Sequence, residues 1–147
     1  MKIIIKPKKI TRKNFQKFGD LISLKKKKFI NINDGYAKRF DNLCRINTSS
    51  KKGKTIMSIF SAKKRKFPMN ETTFLVFVAP KGKRPNTKKI ESFIVPKQTG
   101  INYKPGIWHF PLISSKNMNF LVIDRKGIGN NLVIHNFKNE KISLKYK

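Results

Sequence analysis

A mainly β domain with one short N-terminal helix, built as a sandwich or barrel, is the fold this sequence predicts. Three observations point to it. Nine short runs rich in Ile, Val, Phe and Thr follow one another after Lys28, separated by Lys, Asn, Gly and Pro, which is the spacing of strands in sandwiches and barrels. Only one stretch, Thr11 to Leu21, carries a helical pattern. A length of 147 residues with 38% hydrophobic content is enough to bury one core, so residues 1–147 are read as a single domain.

The elements are justified in order. MKIIIKP is a short strand ended by Pro7. Thr11 then stands where a helix N-cap belongs, Phe15 and Phe18 fall on one helical face, and Gly19 lies near the end. The strand runs that follow are FINI, CRIN, TIMSIFSA, TFLVFVAP, ESFIVP, INYKPGIWHFP, NFLVIDR, LVIHNF and ISLKY. TFLVFVAP and FLVIDR are nearly continuous apolar runs and are expected to be buried. Inside INYKPGIWHFP, the Pro105–Gly106 pair is a turn signal that breaks the strand register.

Composition excludes several classes. Cys44 is the only cysteine, so an internal disulfide and a thiolate zinc cluster are both out of reach, and a reducing, cytoplasmic setting fits. The apolar run at the N-terminus is too short for a signal peptide, and no run approaches the ~20 apolar residues that span a bilayer. The net charge of +28 suggests nucleic acid or an anionic surface. Yet only six of the 35 basic residues are Arg, and the lysines lie in turns all along the chain, as KPKK, KKKK, KKGK and KKRK. Groove and phosphate readers rely on the Arg fork and concentrate their charge, so no specific nucleic-acid partner is expected. Such a surface still draws small anions toward a pocket.

The richest stretch is GINYKPGIWHFPL, residues 100–112, which holds a Tyr, the only Trp and one of two His. Tyr103 and His109 lie on adjacent short strands or one kinked strand, close enough to address one cavity. His109 is the candidate general base, because an imidazole titrates near neutral pH; the alternative is a core histidine satisfied by a backbone carbonyl. His135, in LVIHNF, lacks supporting neighbours and is read as structural. Asp124 closes NFLVID ahead of Arg125, Gly127 and Gly129; it is a pocket acid, a salt-bridge partner or an anchor for the loop that follows. In NDGYAKRF, Asn33, Asp34 and Gly35 form a turn signature, and Arg39 could hold a carboxylate in two hydrogen bonds.

Taken in order, ITRKNFQKFGDLI, INDGYAKRFDNL, GINYKPGIWHFPL and FLVIDRKGIGNN resemble the ureidoglycolate lyase family, also called ureidoglycolate hydrolase. The resemblance runs from about residue 10 to about residue 132. It implies a cupin-like β-barrel (double-stranded β-helix), usually a homodimer, acting late in purine and allantoin degradation. It implies that ureidoglycolate is split into glyoxylate and urea, with His109 and Tyr103 as catalytic residues. Arg39, Lys104, Trp108, Asn33 and Asp124 would surround the small anionic substrate. No metal or other cofactor is called for, since the sequence does not supply the His/His/Glu set of metal-binding cupins.

The chain departs from the family pattern in three places. Phe110 stands where a second His often follows Trp-His, and Lys104 stands where His commonly follows the Tyr. A family segment is also missing between Met69 and Asn70, which would shorten the barrel and remove polar residues from the pocket. The rival to a lyase is therefore a catalytically silent binder of small carboxylic acids on the same barrel.

Overall fold

In the computed structural model, residues 2–65 and 73–145 are described; the break expected between Met69 and Asn70 lies outside them. Branched and aromatic runs cut by turn residues produce twelve strands and one α-helix among the described residues, besides three single 3-10 turns. In chain order these are β1 (Lys2–Ile5), β2 (Lys8–Lys9), α1 (Arg12–Phe15), β3 (Gly19–Ile22), β4 (Ile30–Ile32) and β5 (Ala37–Arg39). After them come β6 (Lys54–Ala62), β7 (Thr73–Ala79), β8 (Glu91–Pro96), β9 (Gly100–Tyr103), β10 (Trp108–Ser114), β11 (Met118–Lys126) and β12 (Lys141–Leu144).

The mainly β class is as expected. The central sheet has the order β10-β7-β8-β2, with two-stranded pairs β1-β12, β3-β9, β4-β5 and β6-β11 around it. Among the described residues these sheets do not close into one barrel. β7 is buried along almost its whole length, as its continuous apolar sequence requires. One face of it, Phe74, Val76 and Val78, meets Phe93 and Val95 of β8 and the N-terminal residues Ile10, Phe15 and Phe18. Phe15 stands edge-on to Phe93 with ring centroids 5.5 Å apart.

Four expectations are corrected. The helix spans only Arg12–Phe15, although Thr11 caps it as expected, in a reciprocal box with Asn14. It stops because Gly19 is needed in an extended strand: β3 pairs with β9, and a Cβ at Gly19 would lie 2.0 Å from the Asn102 carbonyl oxygen. CRIN and LVIHNF form no strand, since neither finds a partner whose backbone could complete a ladder. FLVIDR is a strand but not a buried one, with Leu121 63% and Ile123 42% exposed. β11 pairs only with β6, so a single face of it, through Phe120 against Phe74 at 5.0 Å, reaches the core.

Glu91 ties the N-terminal segment to the central sheet by accepting from Lys8 at 2.9 Å and from Lys17. Partial burial would raise its carboxyl, but the hydrogen bonds and charges of Lys17 and Lys8 outweigh that and hold it below the usual carboxylate range. Its contribution is complete above the unfolded carboxyl value of about 4.3 and is lost as pH falls through the lower folded value. Glu91→Gln is expected to remove part of the acid limb of the stability curve, measured by urea unfolding from neutral pH downward; an unchanged limb would rule the clamp out.

Candidate active site

The Pro105–Gly106 turn breaks residues 100–112 into two strands that join different sheets. Gly106 has φ +79°, and the Ile107 N–H closes the turn on the Lys104 carbonyl at 3.3 Å. This turn separates β9 from β10 and sets their side chains side by side. The Tyr103 and His109 rings stack, with centroids 4.4 Å apart and planes 14° from parallel. His109 lies opposite Val78 of the core-facing side of β7, whereas Trp108 and Phe110 lie opposite Ala79 and Phe77. Cross-strand partners share a face, so His109 lies on the Val78 face of the sheet and Trp108 on the other.

The pair is chemically asymmetric. Tyr103 packs on the core beside Phe15, 6.3 Å between ring centroids, while the imidazole above it is exposed to solvent. Nδ1 of His109 is 3.1 Å from the Ile107 carbonyl oxygen. A carbonyl only accepts, so Nδ1 carries the proton in this contact, and in that tautomer Nε2 is the acceptor of the ring. Burial pushes the Tyr103 phenol well up from its ordinary value. The phenol therefore stays protonated across the physiological range and can donate a hydrogen bond, not act as a phenolate.

That shift has a measurable consequence. The folded state retains the phenol proton where the unfolded chain has lost it, so the contribution is complete below about pH 10 and is lost as pH rises above it. Tyr103→Phe is expected to flatten the alkaline limb of the unfolding curve relative to the unsubstituted protein. Equal slopes above pH ~10 would contradict a buried phenol.

The other candidate residues are dispersed. The Lys104 ammonium adjoins the stacked pair in sequence and donates to the Gln16 carbonyl at 2.6 Å. Trp108 donates from Nε1 to the Gly82 carbonyl at 3.0 Å and meets the edge of His135 at 6.2 Å. Asn33 sits in an exposed turn, with positive φ at Asn33, Asp34 and Gly35. Arg39, on the same β4-β5 hairpin, places Nε and Nη2 at 3.2 and 3.0 Å from one Asp41 oxygen. An open groove of about 410 Å³ at the end of β6, lined by Lys63, Lys64, Arg65 and Leu112 among others, includes neither Tyr103 nor His109.

Asp124 belongs to a structural clamp. Its Oδ1 accepts the Arg125 N–H at 2.7 Å, and the Arg125 guanidinium holds Asn131 Oδ1 at 2.7 and 3.1 Å and the Ser50 carbonyl at 3.0 Å. The arginine stem passes over Gly53, where a Cβ would lie 2.6 Å from Arg125 Cγ. Of the three readings open for Asp124, the loop anchor is the one its hydrogen bonds fill. Sequence reasoning missed Ile107, whose carbonyl sets the imidazole tautomer; a backbone group leaves no side-chain signature.

The class that fold and site define is a mainly β domain with a solvent-facing imidazole, His109, stacked on a neutral phenol that packs on the core. Similarity supplies the family. The profile of the family described as Ureidoglycolate lyase matches residues 2–69 and 66–145. The chain is 31% identical to a ureidoglycolate lyase of Pseudomonas paraeruginosa over 156 residues, covering 93% of this chain and 92% of that protein. It is 32% identical over 160 residues to one of Pseudomonas savastanoi pv. phaseolicola, covering 96% and 93%. A third, from Pseudomonas putida, is 31% identical over 161 residues, covering 97% and 95%. The chain belongs to the ureidoglycolate lyase family.

Proposed function

We propose that this protein is a ureidoglycolate lyase that releases glyoxylate and urea, in the late steps of allantoin and purine breakdown. The observation that carries this reading, beside family membership, is the Tyr103–His109 stack with its exposed imidazole. Ureidoglycolate is a carbinolamine whose central carbon bears a hydroxyl, a urea nitrogen and a carboxylate. His109 Nε2 takes the hydroxyl proton, the electron pair freed from the O–H bond forms the carbonyl, and the C–N pair leaves with the nitrogen. The imidazolium then returns its proton to that nitrogen, so atoms and charge balance.

Tyr103, neutral and fixed by the core, donates a hydrogen bond that orients the reacting carbon's oxygens. Lys104 is the residue proposed to hold the carboxylate: one ammonium proton serves the Gln16 carbonyl, which leaves two of the three for an anion. Arg39 is the weaker choice, being engaged by Asp41. The reading includes a cupin-type ancestry, a homodimer and a cytoplasmic setting, the last supported by the single cysteine. No helix is long and apolar enough to cross a membrane among the described residues. It also includes the shortened segment between Met69 and Asn70, supported by a family match that falls into two pieces meeting there.

The test is glyoxylate release from racemic ureidoglycolate by the purified protein, read by coupled reduction of the product. Turnover that stops with half the racemate consumed is the expected result. Tight binding of glyoxylate without any turnover would instead identify a silent binder of small carboxylic acids.

A further inference from the structure

Tyr103 stands on a strand that the central sheet does not hold. β9 pairs with β3 alone, from Gly19 opposite Tyr103 to Ile22 opposite Gly100, and a two-stranded unit has little stability of its own. β3 is secured from α1, where the Arg12 guanidinium donates to the Leu21 and Ser23 carbonyls at 2.8 and 3.0 Å. β9 is tied beyond its ladder at its end, where the Lys104 N–H donates to the Phe18 carbonyl at 2.9 Å, and through the side chain of Asn102.

Side chains alternate along a strand. Ile101 and Tyr103 pack on the core, so Asn102, between them, lies on the opposite face. There its amide reaches two acceptors, Asp20 Oδ2 directly across the ladder at 3.2 Å and the Arg45 carbonyl at 2.8 Å, which matches the two protons an amide nitrogen carries. Arg45 belongs to no strand. Burial, and after it the Asp20 charge, raise the Cys44 thiol above its ordinary value, so residue 44 also lies near that carboxylate. One amide thus joins β3, β9 and the irregular segment carrying Arg45, at the position next to the phenol. Removing it would leave a carboxylate and a carbonyl without their donor. Because β9 has one partner strand, any shift there carries Tyr103 with it.

We infer that Asn102 is a positioning residue for the lyase reaction: by binding Asp20 and the Arg45 carbonyl it fixes β9, and with it the place of the Tyr103 ring against His109. The inference rests on the lyase reading for the role of Tyr103, and on the two hydrogen bonds for the tie.

A double-mutant cycle tests it. Asn102→Ala is expected to lower kcat for glyoxylate release about tenfold, with KM within about twofold of the unsubstituted value. In a Tyr103→Phe background the same change should cost nothing further, because its effect passes through the phenol. Asp20→Asn, which keeps an oxygen facing the amide, should retain most of kcat, whereas Asp20→Ala should lose part of it. Two readouts do not need turnover. Cys44 is the single cysteine, and its alkylation by iodoacetamide is expected to quicken several-fold in Asn102→Ala as the Arg45 segment comes loose. Tyrosinate absorbance in an alkaline titration should show the Tyr103 phenol ionising at lower pH in that variant than in the unsubstituted protein. Should Asn102→Ala fail to fold, Asp20→Ala, at an exposed position, carries the same cycle. Equal losses in both backgrounds, or an unchanged alkylation rate and titration, overturn the inference and spare the lyase. A Tyr103→Phe variant with full kcat overturns the inference through the phenol. No glyoxylate release from the unsubstituted protein overturns the lyase reading instead, and alkylation and titration then still decide whether Asn102 holds Tyr103.

Discussion

Replacing His109 with alanine is expected to lower kcat for glyoxylate release by about 10²–10⁴-fold, the usual effect of losing one positioned acid–base group. The fold should survive, because the imidazole is exposed and lies on the solvent side of Tyr103. Circular dichroism and the urea midpoint are therefore expected to stay close to those of the unsubstituted protein while turnover falls. A variant that retains full kcat would place the base elsewhere and reduce the stack to packing.

Phe15→Ala is expected to cost about 3–5 kcal/mol of stability, the range for deleting a fully buried aromatic ring. Phe15 is wholly buried, and its ring meets Phe18, Phe93 and Tyr103 at once. Against a total of about 5–15 kcal/mol for a domain, the loss would be a large fraction, visible as a lower urea midpoint at unchanged m-value. The same substitution removes the wall behind Tyr103, so kcat should fall even where the variant remains folded. A stability loss with undiminished kcat would mean that the phenol is positioned by β9 alone and not by the core.

The site was partly legible before folding. GINYKPGIWHFPL displayed both rings and the Pro-Gly turn that brings them together, because turn chemistry is local and strand alternation is a fixed period. The contact of Trp108 with His135 was not legible, since that depends on where an irregular segment far along the chain comes to rest. Arg39 read as a free guanidinium because its partner, Asp41, is an exposed neighbour whose choice is made in space.

The fold divides in the same manner. Thr11 as a cap, Asn33–Gly35 as a turn and TFLVFVA as a buried strand follow from residue chemistry and periodicity, and the sequence determined them by itself. The length of the helix, the absence of strands at CRIN and LVIHNF, and the exposure of FLVIDR were decided only in three dimensions. Apolar character states that a side chain gains from leaving water; it does not state which other part of the chain, if any, comes to cover it. A strand likewise needs a partner backbone, and which segments find one depends on contacts between residues far apart in sequence.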